Sequence, residues 1–355
     1  MSQPTQDKAE ILSANPATDV RSQTMHAWLA AQLAGEDWQI APASADASFR
    51  RYFRVNLPDG TTRIVMDAPP PQEDCRPFLD IGALFRAAGA NTPEVFAADV
   101  EQGFLLLADL GQCTYLDALS VEPAAAPVLY GEARAALIAI QRASRPGVLP
   151  AYDRELLARE LALFPDWYLA RHLGITLDAT QQQALAGAFA TLLDCALAQP
   201  QVFVHRDYHS RNLMVSGDAF PASPGVLDFQ DAVFGPASYD VVSLFRDAYI
   251  DWDEEQELDF VIRYWEEARR AGLPLPAEFH EFYRDYEWMG AQRQLKVLGI
   301  FARLNYRDGK DGYLKDMPRV AAYLRRACER YRELLPLARL LDVIENRQTV
   351  LGFHV

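Results

Sequence analysis

The run Val202-Phe203-Val204-His205-Arg206-Asp207-Tyr208-His209-Ser210-Arg211-Asn212-Leu213-Met214-Val215 is followed, after a short interval, by Val226-Leu227-Asp228-Phe229-Gln230-Asp231. A valine-rich run ends in His205-Arg206-Asp207, Asn212 comes five residues after Asp207, and a second apolar run ends in Asp228-Phe229. The pattern predicts two buried strands, each delivering polar groups at its end. Moving a phosphoryl group asks little covalent chemistry of a protein. It requires metal ions on the phosphate oxygens and a carboxylate that positions the attacking hydroxyl. Asp207 suits the second task, orienting and deprotonating an acceptor hydroxyl. Asn212 and Asp228 suit the first, because magnesium prefers oxygen ligands and substrate phosphates. His205 and Arg206 are read as bracing the loop. A lone Asp or Asn in a loop ordinarily only stabilises a turn. Here the whole pattern H-R-D-x-x-x-x-N is met, and an apolar strand with D-F follows it.

Outward from this stretch, the 355 residues suit two lobes, or one domain with a large helical insertion. Hydrophobic residues make up 50% of the chain, yet no run of about eighteen apolar residues appears, so a globular chain without a membrane span is expected. Residues 1–20 place Asp7 and Glu10 either side of Lys8, without the basic start and apolar core of an export signal. A disordered tail and a cytoplasmic protein are expected. Cys75, Cys113, Cys195 and Cys328 are widely spaced, predicting reduced thiols rather than a metal site or disulfide framework. The formal charge of -15, from 34 basic and 49 acidic residues, argues against nonspecific attraction to nucleic acid or an anionic membrane. A small-molecule acceptor and a monomer are expected.

Upstream, Ser22 or Thr24 is placed to cap a helix carrying Met25, Trp28, Leu29 and Leu33, with Gly35 beyond its end. From Trp38 the pattern turns to strands: Trp38–Ala41, Arg50–Leu57 and Thr61–Ala68, with a turn at Pro58-Asp59-Gly60 and a loop over Ser44–Phe49. In a nucleotide kinase such a loop covers the phosphates. Ser48 is therefore a candidate nucleotide contact, although this loop has no glycine. Arg50, Arg51 and Arg54 follow, and guanidinium forks suit phosphate oxygens. Alternation sets Arg50 and Arg54 on one strand face and Arg51 on the other. Arg76–Ala88 reads as a helix containing Asp80, and strands follow around Val95–Val100 and Phe104–Ala108.

These elements predict a small lobe over residues 21–108. Residues 109–112 read as a hinge, where Asp109 and Leu110 offer backbone groups to an adenine edge. Residues 113–355 predict a larger helical lobe, with apolar periodicities over Pro123–Ser144, Asp153–Leu173 and Thr180–Gln199. Tyr239-Asp240 opens a helix, and Asp240 is read as support for the loop behind the active site. The segment Gln292–Leu304 is too apolar for a surface helix, so deep packing is expected.

At this point the residues resemble the aminoglycoside phosphotransferase and choline kinase-like family, over nearly the whole chain from about Trp38. Arg50-Arg51-Tyr52-Phe53-Arg54, Met66-Asp67-Ala68-Pro69-Pro70, Leu227-Asp228-Phe229-Gln230-Asp231-Ala232, Gly235-Pro236, Tyr239-Asp240 and Leu298-Gly299-Ile300-Phe301-Ala302-Arg303-Leu304 look like its bacterial anomeric N-acetylmuramate/N-acetylglucosamine kinase group. The resemblance implies an α+β, two-lobed protein-kinase-like fold, with a small antiparallel sheet lobe and a larger helical lobe. It also implies ATP and Mg2+ as cofactors, a sugar acceptor phosphorylated on its C1 hydroxyl, and a place in peptidoglycan recycling.

Two departures accompany it. The phosphate-gripping lysine of the third strand is missing, since Arg63-Ile64-Val65-Met66-Asp67-Ala68 contains none; either an arginine among Arg50, Arg51, Arg54 and Arg63 replaces it, or nucleotide binding is weak. Its helix acid is matched by Asp80. For the acceptor pocket the candidates are His209, Asp231, Arg246, Asp247, Arg303 and Arg307, with the arginines offered to the carboxylate of N-acetylmuramate. A polycationic acceptor such as an aminoglycoside, or choline, would instead need Asp231, Asp247 or Asp251. A nucleotide-binding pseudokinase is the alternative from another class.

Overall fold

The computed structural model describes residues 20–45, 49–215 and 224–345. It divides into two compact units: residues up to Gly82 with Pro93–Leu110, and Ala83–Thr92 with Gly111 onward.

In the first unit, helix α1 (Val20–Gln32) is followed by β1 (Gln39–Ala45), β2 (Arg51–Asn56) and β3 (Thr62–Asp67), then the part of α2 (Arg76–Ala87) up to Gly82, β4 (Val95–Asp99) and β5 (Phe104–Ala108). The strands form one antiparallel sheet in the order β1-β2-β3-β5-β4. Met25 and Leu29, one turn apart on α1, pack with Phe53, Val55, Val65, Phe104 and Leu106. Period four on the helix meets period two on the strands, and that match builds the core. Ser22 and Thr24 do not cap α1, which already includes Val20. The Thr24 hydroxyl bonds back to the Val20 carbonyl instead, at 3.0 Å. Strand β1 also runs further than the sequence suggests, pairing Ser44 with Tyr52 and Ala45 with Arg51 after an irregularity at Pro42. Proline lacks the amide that a regular ladder needs. Of the expected loop, Ser48 lies outside the described residues. Asp80 is exposed and makes no ion pair among the described residues.

The arginines expected to meet phosphates are already engaged. Asp67 is fully buried; Arg21 bonds its Oδ1 at 2.9 and 2.6 Å, and Arg51 bonds its Oδ2 at 2.9 and 2.5 Å. Arg54 forks onto Asp109 at 2.5 and 3.1 Å. A buried carboxylate needs such pairing, so Arg51, Arg54 and Asp109 hold this unit together. Arg63 stacks on Phe96 at 4.3 Å, and Arg50 is half-buried just before β2.

The second unit is mainly helical: α3 (Tyr115–Val121), α4 (Ala126–Arg142), α5 (Arg154–Leu163) and α6 (Ala179–Ala198) precede the site, and α7 (Tyr239–Phe245), α8 (Glu254–Arg270), α9 (Phe279–Asp308), α10 (Met317–Arg330) and α11 (Leu335–Ile344) follow it. Side-chain caps at Thr114, Asp153, Asp178 and Asp253 start α3, α5, α6 and α8. The helix expected over Asp153–Leu173 changes character at Phe164, where a π-helical segment runs to His172. Pro165 cannot donate to the carbonyl one turn back, and the ladder widens there. Two short ribbons present the site: β6 (Gln201–Val204) pairs with β9 (Val233–Pro236), and β7 (Leu213–Met214) with β8 (Gly225–Val226).

Helix α9 is buried on every side from Tyr286 to Gly299, as the apolar reading of Gln292–Leu304 anticipates. No described helix is long and apolar enough to cross a membrane. All the cysteines are free.

Candidate active site

Strand β6 ends at Val204 and delivers His205, which is fully enclosed. Its Nε2 lies 2.9 Å from the Leu227 carbonyl and its Nδ1 lies 3.3 Å from the Asp207 amide. The carbonyl requires Nε2 to carry the proton, leaving Nδ1 to accept. Burial lowers the imidazole to about 4, so it is neutral at pH 7. His205 thereby ties the loop that carries Asp207 to the segment leading into Asp228.

The pH dependence of that tie has a definite sign. The ordinary value is 6.5 and the folded value about 4. Below pH 6.5 the unfolded chain takes up a proton that the folded chain refuses until about pH 4, so stability present above 6.5 is lost as pH falls through that window. A His205→Asn variant has no such loss. The stability gap between the two proteins in urea unfolding is expected to shift by up to about 3 kcal/mol against the unmodified chain between pH 7 and pH 4. A gap independent of pH contradicts a buried, neutral His205. Asp240 titrates oppositely over the same range, but both proteins carry it and it cancels.

Asp240, in the first turn of α7, accepts the amides of His205 at 2.7 Å and Arg206 at 3.0 Å. Burial pushes its carboxyl up to about 7, against the pull of those amides. The clamp holds Arg206 at φ +77°, a left-handed conformation that is costly for a side chain of this size. The Arg206 guanidinium is anchored on Glu160 and also reaches the Asp231 carbonyl at 3.3 Å. Glu160 receives Lys296 at 3.0 Å and the Tyr152 hydroxyl as well, while Lys296 bonds the Tyr239 hydroxyl at 2.8 Å.

Asp207 sits within this frame. Burial raises its carboxyl, but the charges of Lys296, Arg293 and Arg206 outweigh it and hold the group below the usual carboxylate range. Among the described residues nothing donates a hydrogen bond to that carboxylate. It is ionised and its lone pairs are available, the condition a base needs to take a hydroxyl proton.

Asn212 and Asp228 lie beside it. The Asn212 amide nitrogen bonds the Asp207 carbonyl at 3.0 Å and Asp228 Oδ2 at 3.3 Å, leaving its Oδ1 without a donor among the described residues. Asp228 is also left-handed, at φ +61°, with Gln230 on its Oδ1 at 2.8 Å. No cluster of three metal-ligating side chains occurs among the described residues. One carboxylate and one amide oxygen are nevertheless what magnesium takes when phosphates supply its remaining ligands.

Several expected acceptor residues are not available for that role. Arg246 is 1% exposed, bonded to Glu257 at 2.6 Å and to Glu287. Asp247 is fully buried, accepting the Ser210 and Tyr249 amides, both at 2.9 Å. Both are corrections: the two side chains face the interior, where each satisfies a buried partner. Arg307 is exposed and pairs with its neighbour Asp308. Arg303 is half-buried, with Nε unpartnered among the described residues. Asp231 is exposed beside Gln230. His209 is half-buried, its Nδ1 enclosed and without a partner among the described residues, edge-on to Tyr249.

Sequence reasoning missed Glu160, Arg293 and Lys296. A signal existed: Arg293 and Lys296 stand three residues apart, on one face of the helical segment read as deeply packed.

Residues 39–273 match the phosphotransferase enzyme family. The chain belongs to that family. Among curated members, a Neisseria meningitidis serogroup B protein named N-acetylmuramate/N-acetylglucosamine kinase is 50% identical over 329 residues, covering 92% of this chain and 97% of its own. A Pseudomonas aeruginosa protein of the same name is 50% identical, covering 91% and 96%. The family's fold extends to far more distant proteins. Plasmodium vivax ethanolamine kinase superposes with a TM-score of 0.60 at 11% identity, covering 91% of this chain and 95% of its own.

Proposed function

We propose that this member of the family is an ATP- and magnesium-dependent sugar kinase that phosphorylates the C1 hydroxyl of N-acetylmuramate, N-acetylglucosamine or both. The observation that carries the chemistry is the Asp207 carboxylate: ionised by surrounding cations, free of donors among the described residues, and adjacent to the oxygen pair of Asn212 and Asp228. The sugar is supported by the name that relatives at 50% identity carry.

In this reading Asp207 accepts the sugar's C1 hydroxyl as a hydrogen-bond donor and aligns its oxygen with the terminal phosphorus. As the oxygen–phosphorus bond forms, the bond to the ADP oxygen breaks and the hydroxyl proton passes to Asp207. Asn212 and Asp228 would hold magnesium, which would supply charge neutralisation on the phosphate oxygens. Neutral His205 and the Asp240 clamp fix the loop, so the carboxylate arrives positioned rather than having to reorganise. A soluble, cytoplasmic monomer fits the reading.

The carboxylates that a polycationic acceptor would need are largely committed. Asp247 is spent on backbone amides and Asp251 accepts the Tyr323 hydroxyl at 2.6 Å. With magnesium and ATP, the purified protein is expected to release ADP on adding either sugar, at least tenfold faster than with an aminoglycoside, choline or no acceptor. Chelation of magnesium by EDTA is expected to stop it. Turnover confined to the aminoglycoside or choline contradicts the sugar assignment, and ATP binding without turnover on any acceptor contradicts the enzyme.

A further inference from the structure

We propose that Arg293 is the residue that receives the acceptor's carboxylate, so that it sets the preference between N-acetylmuramate, which carries one, and N-acetylglucosamine, which does not. The inference rests on the sugar-kinase reading above.

Arg293 lies in the buried stretch of α9 and is 3% exposed, yet its Nε and Nη1 have no hydrogen-bond partner among the described residues. A guanidinium removed from water without a carboxylate opposite its fork is costly, and folded chains ordinarily avoid it. This chain avoids it for its neighbouring cations. Arg206 and Lys296 both end on Glu160, and Arg246 ends on Glu257 and Glu287. Arg293 is therefore the cation acting on Asp207 whose own fork is unfilled.

Its position suits an acceptor rather than a phosphate. The charge of Arg293 reaches Asp207, His209 and Asp240, without a hydrogen bond to any of them. Arg293 stands one turn before Lys296 on α9, and Lys296 meets Glu160, the carboxylate that anchors Arg206 next to Asp207 in the chain; the transferred phosphate is expected at the oxygen pair of Asn212 and Asp228. His209 adds a second enclosed polar atom without a partner, its Nδ1, on the same catalytic loop. A planar guanidinium matches a carboxylate with two parallel hydrogen bonds, a geometry that an ammonium cannot reproduce. The other candidate on this helix, Arg303, stands ten residues further on, about 15 Å along the axis.

The test compares kcat/KM for the two sugars in the unmodified protein, Arg293→Lys and Arg293→Gln, with thermal melts to establish folding. Arg293→Lys keeps the buried charge and loses the fork, so it decides the matter should Arg293→Gln fail to fold. The expected result is a fall of about 10- to 100-fold in the ratio of kcat/KM for N-acetylmuramate to that for N-acetylglucosamine in both variants, with Arg293→Gln also lowering turnover of both sugars because it removes a charge that keeps Asp207 ionised. Equal losses on both sugars, or an unchanged ratio, overturn the proposal and leave the kinase standing. No turnover of either sugar by the unmodified protein removes the kinase reading, and the inference with it.

Discussion

Replacing Asp207 with Asn is expected to lower kcat roughly 1,000-fold or more on any acceptor the protein uses, while the melting temperature stays within a few degrees. The amide retains the shape of the side chain but cannot take the hydroxyl proton, and it presents a donor where the sugar hydroxyl must itself donate. The fold loses little because no described residue donates a hydrogen bond to this carboxylate. The loop is held instead by His205 and Asp240, through the Leu227 carbonyl and the His205 and Arg206 amides. Removing one of three coordinating tasks differs from weakening them all: ATP affinity is expected to persist, because Asn212 and Asp228 are untouched. Steady-state kinetics with a nucleotide-binding measurement separates these quantities. A variant with near-normal kcat ends the assignment of Asp207 as the base.

Gly299→Ala is expected to cost about 3 kcal/mol, at the upper end for overpacking, and to lower the melting temperature by roughly 5–10 °C. Added at this glycine, a Cβ would stand 2.4 Å from the Leu163 carbonyl carbon, 2.5 Å from its oxygen and 2.6 Å from its Cβ. Two of those atoms are backbone, so no rotamer change relieves the overlap. Helix α9 crosses the end of α5 here, just where Pro165 forces the chain into its π-helical segment. Separating the helices would disturb Glu160 on α5 and Lys296 on α9, which meet at 3.0 Å. A loss of activity out of proportion to the loss of stability is therefore also expected. Calorimetry on the variant checks the first effect, and activity at a temperature where both proteins are folded checks the second. An unchanged melting temperature contradicts the close crossing.

The residues proposed for catalysis were legible as a group in the sequence because phosphoryl transfer asks for both their type and their spacing. Val202–Val204 read as a strand and is one; Asp207, Asn212 and Asp228 converge as the pattern implies. The apolar run before Asp228 shrinks to the two paired residues of β8, since the left-handed Asp228 soon turns the chain out of an extended path. Asp240 was legible as support because a carboxylate in a helix's first turn has amides to serve, although those it serves lie on another element.

Buried charge was what the sequence concealed. Nothing near Arg246 in the chain marks it as interior, because Glu257 and Glu287 reach it from α8 and α9. The same holds for Arg51 and Arg54, which looked like phosphate ligands until Asp67 and Asp109 were found opposite them. A sequence gives a guanidinium's reach but not what lies within it. Arg293 and Lys296 show the converse: two cations in a segment read as deeply packed announce an interior role, and only coordinates reveal that Lys296 is paired while Arg293 has no hydrogen-bond partner for Nε or Nη1 among the described residues.

Phosphorus NMR of the product formed from ATP and N-acetylmuramate tests the account most directly, because it reads which oxygen Asp207 brought to the phosphorus. The expected spectrum has one new phosphate monoester signal, split by the sugar's anomeric proton and growing as ATP is consumed, and absent with Asp207→Asn. A monoester on any other sugar oxygen contradicts the proposed alignment, and ATP consumption with only inorganic phosphate as product contradicts the sugar as acceptor.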